Sequence, residues 1–364
     1  MNSTITIHHL PVHTPFAIAT GTMQAADCAV VELDDGCGNI GLGEAAPFSA
    51  VTGEDLKKTA DAMSDLCETI RPLSPEQAIK ALSRKSSDSS IPVTALCAIE
   101  SAVFDLIARR QSIPLWRLFG SPTLDGGSDI PAAIATDITV TVMPPDQVPG
   151  FMDKFSAHGF RTFKVKVSGR VEADTECVRA VVDWGTKHKQ PTEIILDGNQ
   201  GFDLERAGQL LANLAKLNIV PVCFEQPLPR SDIKGLAKLS RMTSVPVLLD
   251  ESVTTVDEVV RAYHARAGSM INIKITKSGV VESLRMITAA KSLGMGLMIG
   301  GMLETEIAMG FSLQMAAGLG GFNLIDLDTP FFIEQRLTVN SPWHHPTALL
   351  DASRTAGSGL MLFK

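Results

Sequence analysis

The pattern of apolar and polar positions divides the chain into two parts. In the first third, Thr4–His8 and Ala29–Leu33 alternate in the way that half-buried strands do. The turn-rich segment Asp34–Asn39 separates the second run from Gly41–Phe48, which predicts a β-hairpin. The apolar residues of Val93–Arg110 recur at helical spacing. This part of the chain is therefore expected to form an α+β domain.

From about residue 131, short β-rich runs alternate with helical stretches, which indicates βα units. There are eight runs: Ile138–Val142, Phe163–Val167, Glu193–Asp197, Val222–Glu225, Val247–Asp250, Met270–Ile275, Gly296–Ile299 and Asn323–Leu327. Eight units predict a (β/α)8-type barrel, a modified TIM barrel. A doubly wound open sheet is the alternative, but no G-x-G-x-x-G motif follows a strand.

These patterns predict three segments. An N-terminal α+β domain is expected over residues 1–125 and a catalytic barrel over 126–330. The boundary is placed in the turn-rich segment 121–127. A C-terminal tail over 331–364 is expected to pack back on the N-terminal domain.

Composition and charge exclude several classes of protein. The 32 Lys and Arg against 40 Asp and Glu give a net charge of −8, without the basic surface of a nucleic-acid binder. No block of like charge or long apolar run predicts membrane association. The N-terminus lacks the pattern of a signal peptide, and the six cysteines lack zinc or redox spacing. The sequence therefore predicts a cytoplasmic protein. It is compatible with a homo-oligomer, and no residue pattern fixes the number of subunits.

Several of the β runs carry charged residues that a buried strand does not need. These residues are Lys164, Lys166, Asp197, Glu225, Asp250, Lys274, Asp326 and Asp328. The steps from Lys164 to Lys274 are 33, 28, 25 and 24 residues, each about the length of one βα unit. The charges are thus expected at equivalent positions on successive strands. In a barrel these positions meet at the C-terminal mouth, where active sites of this fold lie.

Three of these residues, Asp197, Glu225 and Asp250, form a set of carboxylates without a nearby His or Cys. Oxygen ligands of this kind suit Mg²⁺ and make zinc a poor fit. A purely structural network of ion pairs is the alternative. Such a network is costly to bury, so we expect another reason for it.

The lysines predict acid/base chemistry. Lys166 and Lys274 lie four strands apart, which is half the circumference of an eight-stranded barrel, so they are expected to face each other. Burial and a neighbouring dication are both expected to lower a lysine pKa, which favours a general base. Two opposed bases can remove a proton from one face of a carbon and return it to the other. This arrangement predicts racemisation or epimerisation next to a carboxylate, through an enediolate that the metal stabilises.

These motifs, together with Asp197-Gly-Asn, Glu225-Gln-Pro and Asp250-Glu, resemble the muconate-lactonising subgroup of the enolase superfamily. Gly41–Phe48 and the helix at Ala98–Leu106 resemble its capping domain. The resemblance implies that the three carboxylates bind one Mg²⁺ per subunit and that Lys166 and Lys274 are the catalytic acid/base pair. It also implies that Lys164 neutralises the substrate carboxylate and that Thr139 contacts the substrate.

Asp326-Leu-Asp328 resembles the Asp-x-Asp motif of dipeptide epimerases of the L-Ala-D/L-Glu type. The resemblance implies that this pair holds the α-ammonium group of a dipeptide, and paired carboxylates suit a cation. The alternative is a helix cap before Thr329-Pro330.

One segment departs from that pattern. In Ala-Glu epimerases, the loop after the first strand resembles A-R-G-[ST]-R, and its last Arg pairs with the glutamate side chain. The corresponding segment of this chain, residues 19–23, ends in Met23, so a glutamate side chain would lack its counter-charge. We therefore expect a dipeptide with an apolar second residue. The candidate contacts, which core packing would also explain, are Phe16, Met23, Met298, Gly301, Met302 and Leu303. Glu304 would favour a cationic second residue if it pointed into the pocket.

The sequence thus predicts a Mg²⁺-dependent epimerase that inverts the C-terminal residue of a dipeptide. The alternatives within the subgroup are an N-acylamino acid racemase, an o-succinylbenzoate synthase or a cycloisomerase. The Asp-x-Asp pair argues against them, because their substrates lack a free ammonium group. A non-catalytic barrel that binds a small acid or peptide is a more remote alternative.

Overall fold

A computed structural model describes residues 1–19, 21–86, 88–120 and 133–363 of the chain. The predicted boundary segment 121–127 lies outside these residues, as does Thr20 of the segment 19–23. Within the described part of the chain, no helix is long and apolar enough to cross a membrane.

The N-terminal region begins with an antiparallel sheet of three strands, β1 (Asn2–Ile18), β2 (Gly21–Asp34) and β3 (Ile40–Ala45), in the order β1-β2-β3. The predicted hairpin is present, and the side chain of Asp35 closes its turn by accepting from the N–H groups of Cys37 and Asn39. Strands β1 and β2 are longer than their alternation predicts. A register shift between Pro11 and Phe16 places Phe16 opposite Met23.

Four helices follow this sheet: α1 (Ser49–Thr52), α2 (Leu56–Ile70), α3 (Pro75–Ser83) and α4 (Val93–Arg110). The longest, α4, has the bounds that its periodicity predicts and packs on β3. Two glycines make this packing possible. A Cβ on Gly41 would lie 2.1 Å from the carbonyl oxygen of Ala102, and one on Gly43 would lie 1.9 Å from that of Ala98.

The predicted barrel is confirmed. After β4 (Ile134–Ala135), its strands are β5 (Ile138–Val140), β6 (Thr162–Lys166), β7 (Glu193–Asp197), β8 (Cys223–Glu225), β9 (Val247–Leu249), β10 (Met270–Ile273), β11 (Gly296–Gly300) and β12 (Leu324–Asp326). Neighbouring strands pair in parallel and in chain order, which rules out the doubly wound alternative. Just before β5, the N–H of Asp137 donates to the carbonyl of Ile325 at 3.0 Å and joins the first strand to the last.

Helices surround the barrel. They are α5 (Val148–Phe155), α6 (Val171–His188), α7 (Leu204–Lys216), α8 (Ile233–Met242), α9 (Val256–Ala265), α10 (Ile275–Ser278), α11 (Val280–Ser292) and α12 (Glu306–Leu319). Short 3₁₀ helices span Leu115–Phe119, Pro145–Gln147, Ser156–His158 and Thr329–Phe332. A last strand, β13 (Leu349–Leu350), pairs with β4. Inside the barrel, below its mouth, lies an apolar layer formed by Ile195, Cys223, Leu248, Met270 and Met298.

Buried carboxylates join the N-terminal region to the barrel. Glu44 of β3 accepts hydrogen bonds from the N–H groups of Thr305 and Ala308, at 2.9 and 3.0 Å, where α12 begins. Glu100 of α4 accepts from the N–H of Val280 at 2.6 Å, where α11 begins. Each carboxylate satisfies backbone donors that a helix N-terminus leaves free. The N-terminal region is thereby held over the mouth of the barrel.

Candidate active site

The register of the barrel brings the predicted charged residues to one level. Lys166 pairs with Asp197, and Asp197 pairs with Glu225. Residues at i and i+2 of a strand share a face, so Lys164 and Lys166 both point inward. We call the set formed by Lys164, Lys166, Asp197, Glu225, Asp250 and Lys274 the charged floor. All of its members are buried at the carboxyl ends of the strands.

Lys164 lies at the centre of the charged floor and is 1% exposed. Its Nζ is 2.6 Å from Asp326 Oδ2, 2.8 Å from Glu225 Oε2 and 3.1 Å from Asp197 Oδ2. Burial lowers the pKa of Lys164, but the three carboxylates outweigh burial and raise it well above its ordinary value. Lys164 is therefore a fixed positive charge.

The other two lysines lie on opposite sides of one cavity. Lys166 ends β6, and its Nζ is 2.6 Å from Asp197 Oδ2. Lys274 follows β10, and its Nζ is 2.8 Å from Asp250 Oδ2. Strands β6 and β10 are four steps apart in the eight-stranded order, as the spacing predicts. Both side chains line the cavity.

The expected lowering of the lysine pKa values beside a bound dication stays a prediction, and the residues of the site by themselves act in the opposite direction on Lys274. Burial lowers the pKa of Lys274, but the charges of Asp250 and Glu225 outweigh burial and raise it. The sequence argument considered burial and a dication, whereas the carboxylates lie directly against the amine. The same contacts act on the acids: burial raises the pKa of Asp197, but Lys166 and Lys164 bring it down to about 2.

The donor set of Asp197, Glu225 and Asp250 fits a hard divalent cation, because it consists of carboxylate oxygens. Each ligand candidate is held from outside the set. Asp197 accepts from the N–H of Asn199 at 3.0 Å, and Glu225 accepts from Asn272 Nδ2 at 2.8 Å.

Asp250 is held by a further lysine. Lys277 Nζ donates to the carbonyl of Asp250 at 2.8 Å and to its Oδ1. Sequence analysis missed this lysine. The available signal was a second lysine three residues after Lys274. Lys277 contacts Oδ1 of Asp250, whereas Lys274 contacts Oδ2.

A second group of acids lies beside the charged floor. Among the described residues, three carboxyl groups have oxygens within 4.8 Å of one another, and they belong to Asp137, Asp326 and Asp328. These are not the three predicted metal ligands, which share their oxygens with lysines. The assignment of the metal to Asp197, Glu225 and Asp250 therefore stays a prediction.

Asp326 and Asp328 point into the barrel at its closing seam. Asp326 contacts Lys164, and Asp328 Oδ2 accepts from the N–H of Thr139 at 2.5 Å. Asp328 precedes the 3₁₀ helix Thr329–Phe332, but its side chain makes no capping hydrogen bond. The helix-cap interpretation is therefore not supported. Gly300, which sequence analysis missed, makes room for the pair, since a Cβ there would lie 2.9 Å from Asp326 Oδ2.

Opposite the charged floor, the cavity has an apolar lining that we call the apolar wall. It consists of Phe16, Ile18, Met23, Phe48, Val51, Met302 and Leu303. Thr139 and Gly301 also line the cavity, as predicted. Ile18, Phe48 and Val51 were missed. Ile18 ends β1, Phe48 lies in the loop after β3 and Val51 lies in α1, all far along the chain from the barrel strands.

One predicted contact is corrected, and the structure locates Glu304, whose position the sequence left open. Met298 packs below the mouth in the apolar layer with Cys223 and Leu248, one inward position before Gly300, so it is core rather than cavity lining. Glu304 is also buried, and its Oε2 accepts from the N–H of Met302 at 2.8 Å. Burial and the charge of Glu44 raise the pKa of Glu304 to about 8. It therefore gives no support for a cationic second residue.

Fold and site together define a (β/α)8-barrel enzyme with two opposed lysines above an acidic cluster. Residues 1–120 match the family model for the mandelate racemase/muconate lactonizing enzyme N-terminal domain, and residues 151–362 match the enolase C-terminal domain-like model. The chain belongs to the mandelate racemase/muconate lactonizing enzyme family of the enolase superfamily, as its motifs predict.

Similar proteins cover the whole length of the chain. It is 35% identical to the aromatic dipeptide epimerase of Herpetosiphon aurantiacus, over 97% of this chain and 96% of that protein. It is 33% identical to the hydrophobic dipeptide epimerase of Citrifermentans bemidjiense, over 96% and 94%. The crystal structure of dipeptide epimerase from Enterococcus faecalis, complexed with Mg and the dipeptide L-Leu-L-Tyr, has a TM-score of 0.91 at 27% identity and covers 98% of both chains. The chain is an isomerase.

Proposed function

We propose that this enzyme is a dipeptide epimerase that inverts the α-carbon of the C-terminal residue. One observation carries the proposal: Lys166 and Lys274 face the same cavity from opposite sides of the barrel. A carbon held between two amines can lose a proton to one and regain it from the other, which inverts its configuration. The similarity to epimerases of aromatic and hydrophobic dipeptides supports this reaction.

The chain's own residues divide the work. Asp197 and Asp250 orient the two reacting lysines through contacts of 2.6 and 2.8 Å. Lys164, held positive by its three carboxylates, attracts the substrate carboxylate. A dipeptide that fills the cavity would displace water, which strengthens the charge interactions inside it.

Mg²⁺ is the proposed cofactor, one per subunit. Asp197, Glu225 and Asp250 would hold it, since their oxygen donors suit this ion. When bound, it supplies a Lewis acid that stabilises negative charge on the substrate carboxylate. The Mg and dipeptide in the Enterococcus faecalis structure support this assignment.

Recognition of the dipeptide is assigned to the two sides of the cavity. Asp326 and Asp328, with Thr139 beside them, are proposed to bind the α-ammonium group. The apolar wall is proposed to bind an apolar side chain, because Phe16 and Met23 face each other across β1 and β2 and both line the cavity. Gly301 is proposed to contribute only its backbone to the cavity lining. A side chain is disfavoured there, since a Cβ would lie 2.4 Å from Met309 Cε.

The test is isotope exchange on a dipeptide library. Purified protein and Mg²⁺ would be incubated in D₂O with pools of L,L-dipeptides, and mass spectrometry would detect replacement of the α-hydrogen by deuterium. We expect labelling of dipeptides with apolar residues and none of Ala-Glu. The matched N-acetyl dipeptides, which lack the ammonium group, should label weakly. Absence of labelling in every dipeptide pool, with labelling of N-acylamino acids, would overturn the proposal.

A further inference from the structure

Asp137 is a buried acid that the proposed reaction leaves without a role. It lies just before β5 and is 1% exposed. Asp137 and Thr139 are two residues apart on an extended segment, so their side chains share the inner face of the barrel. The carboxyl of Asp137 lies within 4.8 Å of those of Asp326 and Asp328.

The three carboxyl groups differ in whether their oxygens have hydrogen-bond partners. Asp326 Oδ2 accepts from Lys164, and Asp328 Oδ2 accepts from the N–H of Thr139. Among the residues that the structure describes, neither oxygen of Asp137 has a hydrogen-bond partner, and Asp328 Oδ1 has none either. An ionised carboxylate buried without donors is strongly destabilised. Two acceptor oxygens without donors are stabilised when one proton lies between them.

The charges that face Asp137 favour this proton. Asp326, Asp328 and Glu225 are negative neighbours, and Lys164 is the positive one. Burial raises the pKa of Asp137, and the charges of Asp326 and Asp328 raise it further. Lys164 lowers the pKa of Asp137 but is outweighed, and its ammonium group contacts Asp326, Glu225 and Asp197 instead.

We propose that Asp137 is a third carboxyl group of the ammonium subsite. It stays protonated and donates a hydrogen bond to Asp328. The subsite then keeps two negative charges: that of Asp326, which contacts Lys164, and that of Asp328, which is left for the substrate ammonium group. A third ionised carboxylate would leave an unmatched buried charge. The identity of the ammonium group rests on the proposed function, whereas the proton on Asp137 does not.

The first experiment detects the proton directly. Infrared difference spectra of the Mg²⁺-loaded protein without substrate would compare wild type with Asp137→Asn. We expect the variant to lose the carbonyl stretch of a protonated carboxyl, a band that shifts in D₂O. Asp183→Asn, at a side chain that is 73% exposed, is the control and should keep this band. A wild-type-minus-Asp137→Asn difference spectrum without this band overturns the proposal, because the bands of other protonated acids such as Glu304 cancel in the difference.

The second experiment tests whether Asp137 acts as a neutral hydrogen-bond donor or as a charged carboxylate. Asn retains a hydrogen-bond donor without charge, and Leu has a similar volume without a donor. Calorimetry should therefore show that Asp137→Leu binds an apolar L,L-dipeptide about tenfold more weakly than Asp137→Asn. The N-acetyl dipeptide should not distinguish the two variants. Equal losses of dipeptide affinity in both variants would show that Asp137 acts as a charged carboxylate, contrary to the proposal.

The two experiments also separate the proposal from the proposed function. If wild type binds no dipeptide, the proposed function fails, and the infrared band still decides whether Asp137 carries the proton. If Asp137→Leu does not fold, the infrared comparison of wild type with Asp137→Asn remains decisive.

Discussion

The charged floor and the apolar wall enclose the same cavity, but the chain builds them in different ways. The charged floor stands at the ends of barrel strands, where strand pairing sets the position of each side chain. The apolar wall comes mainly from the β1–β2 hairpin and the loop after β3. The charged floor is also cross-linked by ion pairs, whereas the apolar wall is held by packing.

This difference teaches where chemistry and selectivity reside. In the proposed reaction the two lysines must keep a fixed separation for one carbon to react with both, and paired strands provide that rigidity. An apolar surface on a hairpin and a loop can change its shape without moving the strands. We therefore expect changes in the charged floor to decide whether the reaction occurs, and changes in the apolar wall to decide which dipeptide reacts.

The largest effect is expected from the lysines. Lys166→Ala and Lys274→Ala should each abolish epimerisation, with a loss of about 10²- to 10⁴-fold or more, because general acid/base catalysis contributes this much. Chiral chromatography of the product, starting from each epimer in turn, measures the loss. The two-base scheme would be wrong if either variant retained full turnover in both directions.

The next effect concerns the metal and distinguishes the two acidic groups. Asp250→Asn should weaken Mg²⁺ binding by about tenfold or more, because an amide lacks the charge of a carboxylate. Asp326→Asn, in the group with Asp137 and Asp328, should keep the wild-type affinity. Isothermal titration with Mg²⁺ alone measures both variants. If Asp326→Asn weakened Mg²⁺ binding and Asp250→Asn did not, the metal would be assigned to the second acidic group.

Removal of Mg²⁺ by EDTA should abolish activity, and added Mg²⁺ should restore it.

A smaller effect is expected in the apolar wall. Met23→Arg supplies a counter-charge, so the ratio of kcat/KM for Ala-Glu to that for an apolar dipeptide should rise about tenfold or more. Met242→Arg makes the same change at a residue that is 65% exposed and serves as the control. An unchanged ratio in Met23→Arg would show that Met23 does not contact the second residue.

The smallest effect on activity is expected from a buried acid outside both regions. Burial raises the pKa of Glu100 from 4.5 to about 7. Because the folded state holds this proton more tightly than the unfolded state, Glu100 stabilises the fold below about pH 4.5. This contribution is lost as the pH rises through about 7.

Glu100→Gln should therefore flatten the fall in the free energy of unfolding between about pH 4.5 and 7, by at most about 3 kcal/mol. Urea unfolding at several pH values measures this change, and activity at pH 7 should stay at the wild-type level. Glu172→Gln, at an exposed position, should leave the pH dependence as it is in wild type. A wild-type slope in Glu100→Gln would contradict the prediction.

Sequence reasoning reached the charged floor and missed three of the seven residues of the apolar wall. Each charge of the floor lies within or at the end of a local apolar run, so strand, position and residue type can be read together at one place. Phe48 and Val51 carry no comparable signal, because their contact with the cavity depends on how a distant domain docks. Met298 was assigned to the wrong depth, since two-residue alternation gives the face of a strand but not the level along it.

The sequence by itself determined the eight strands, the lysine and carboxylate positions and their arrangement around the barrel. These follow from local periodicity and from the regular length of a βα unit. Only the tertiary structure decided which carboxylate contacts which lysine, that Asp137 joins Asp326 and Asp328, and which residues form the apolar wall. Such contacts join residues far apart in the chain, and their energies depend on distances and burial that no single segment contains.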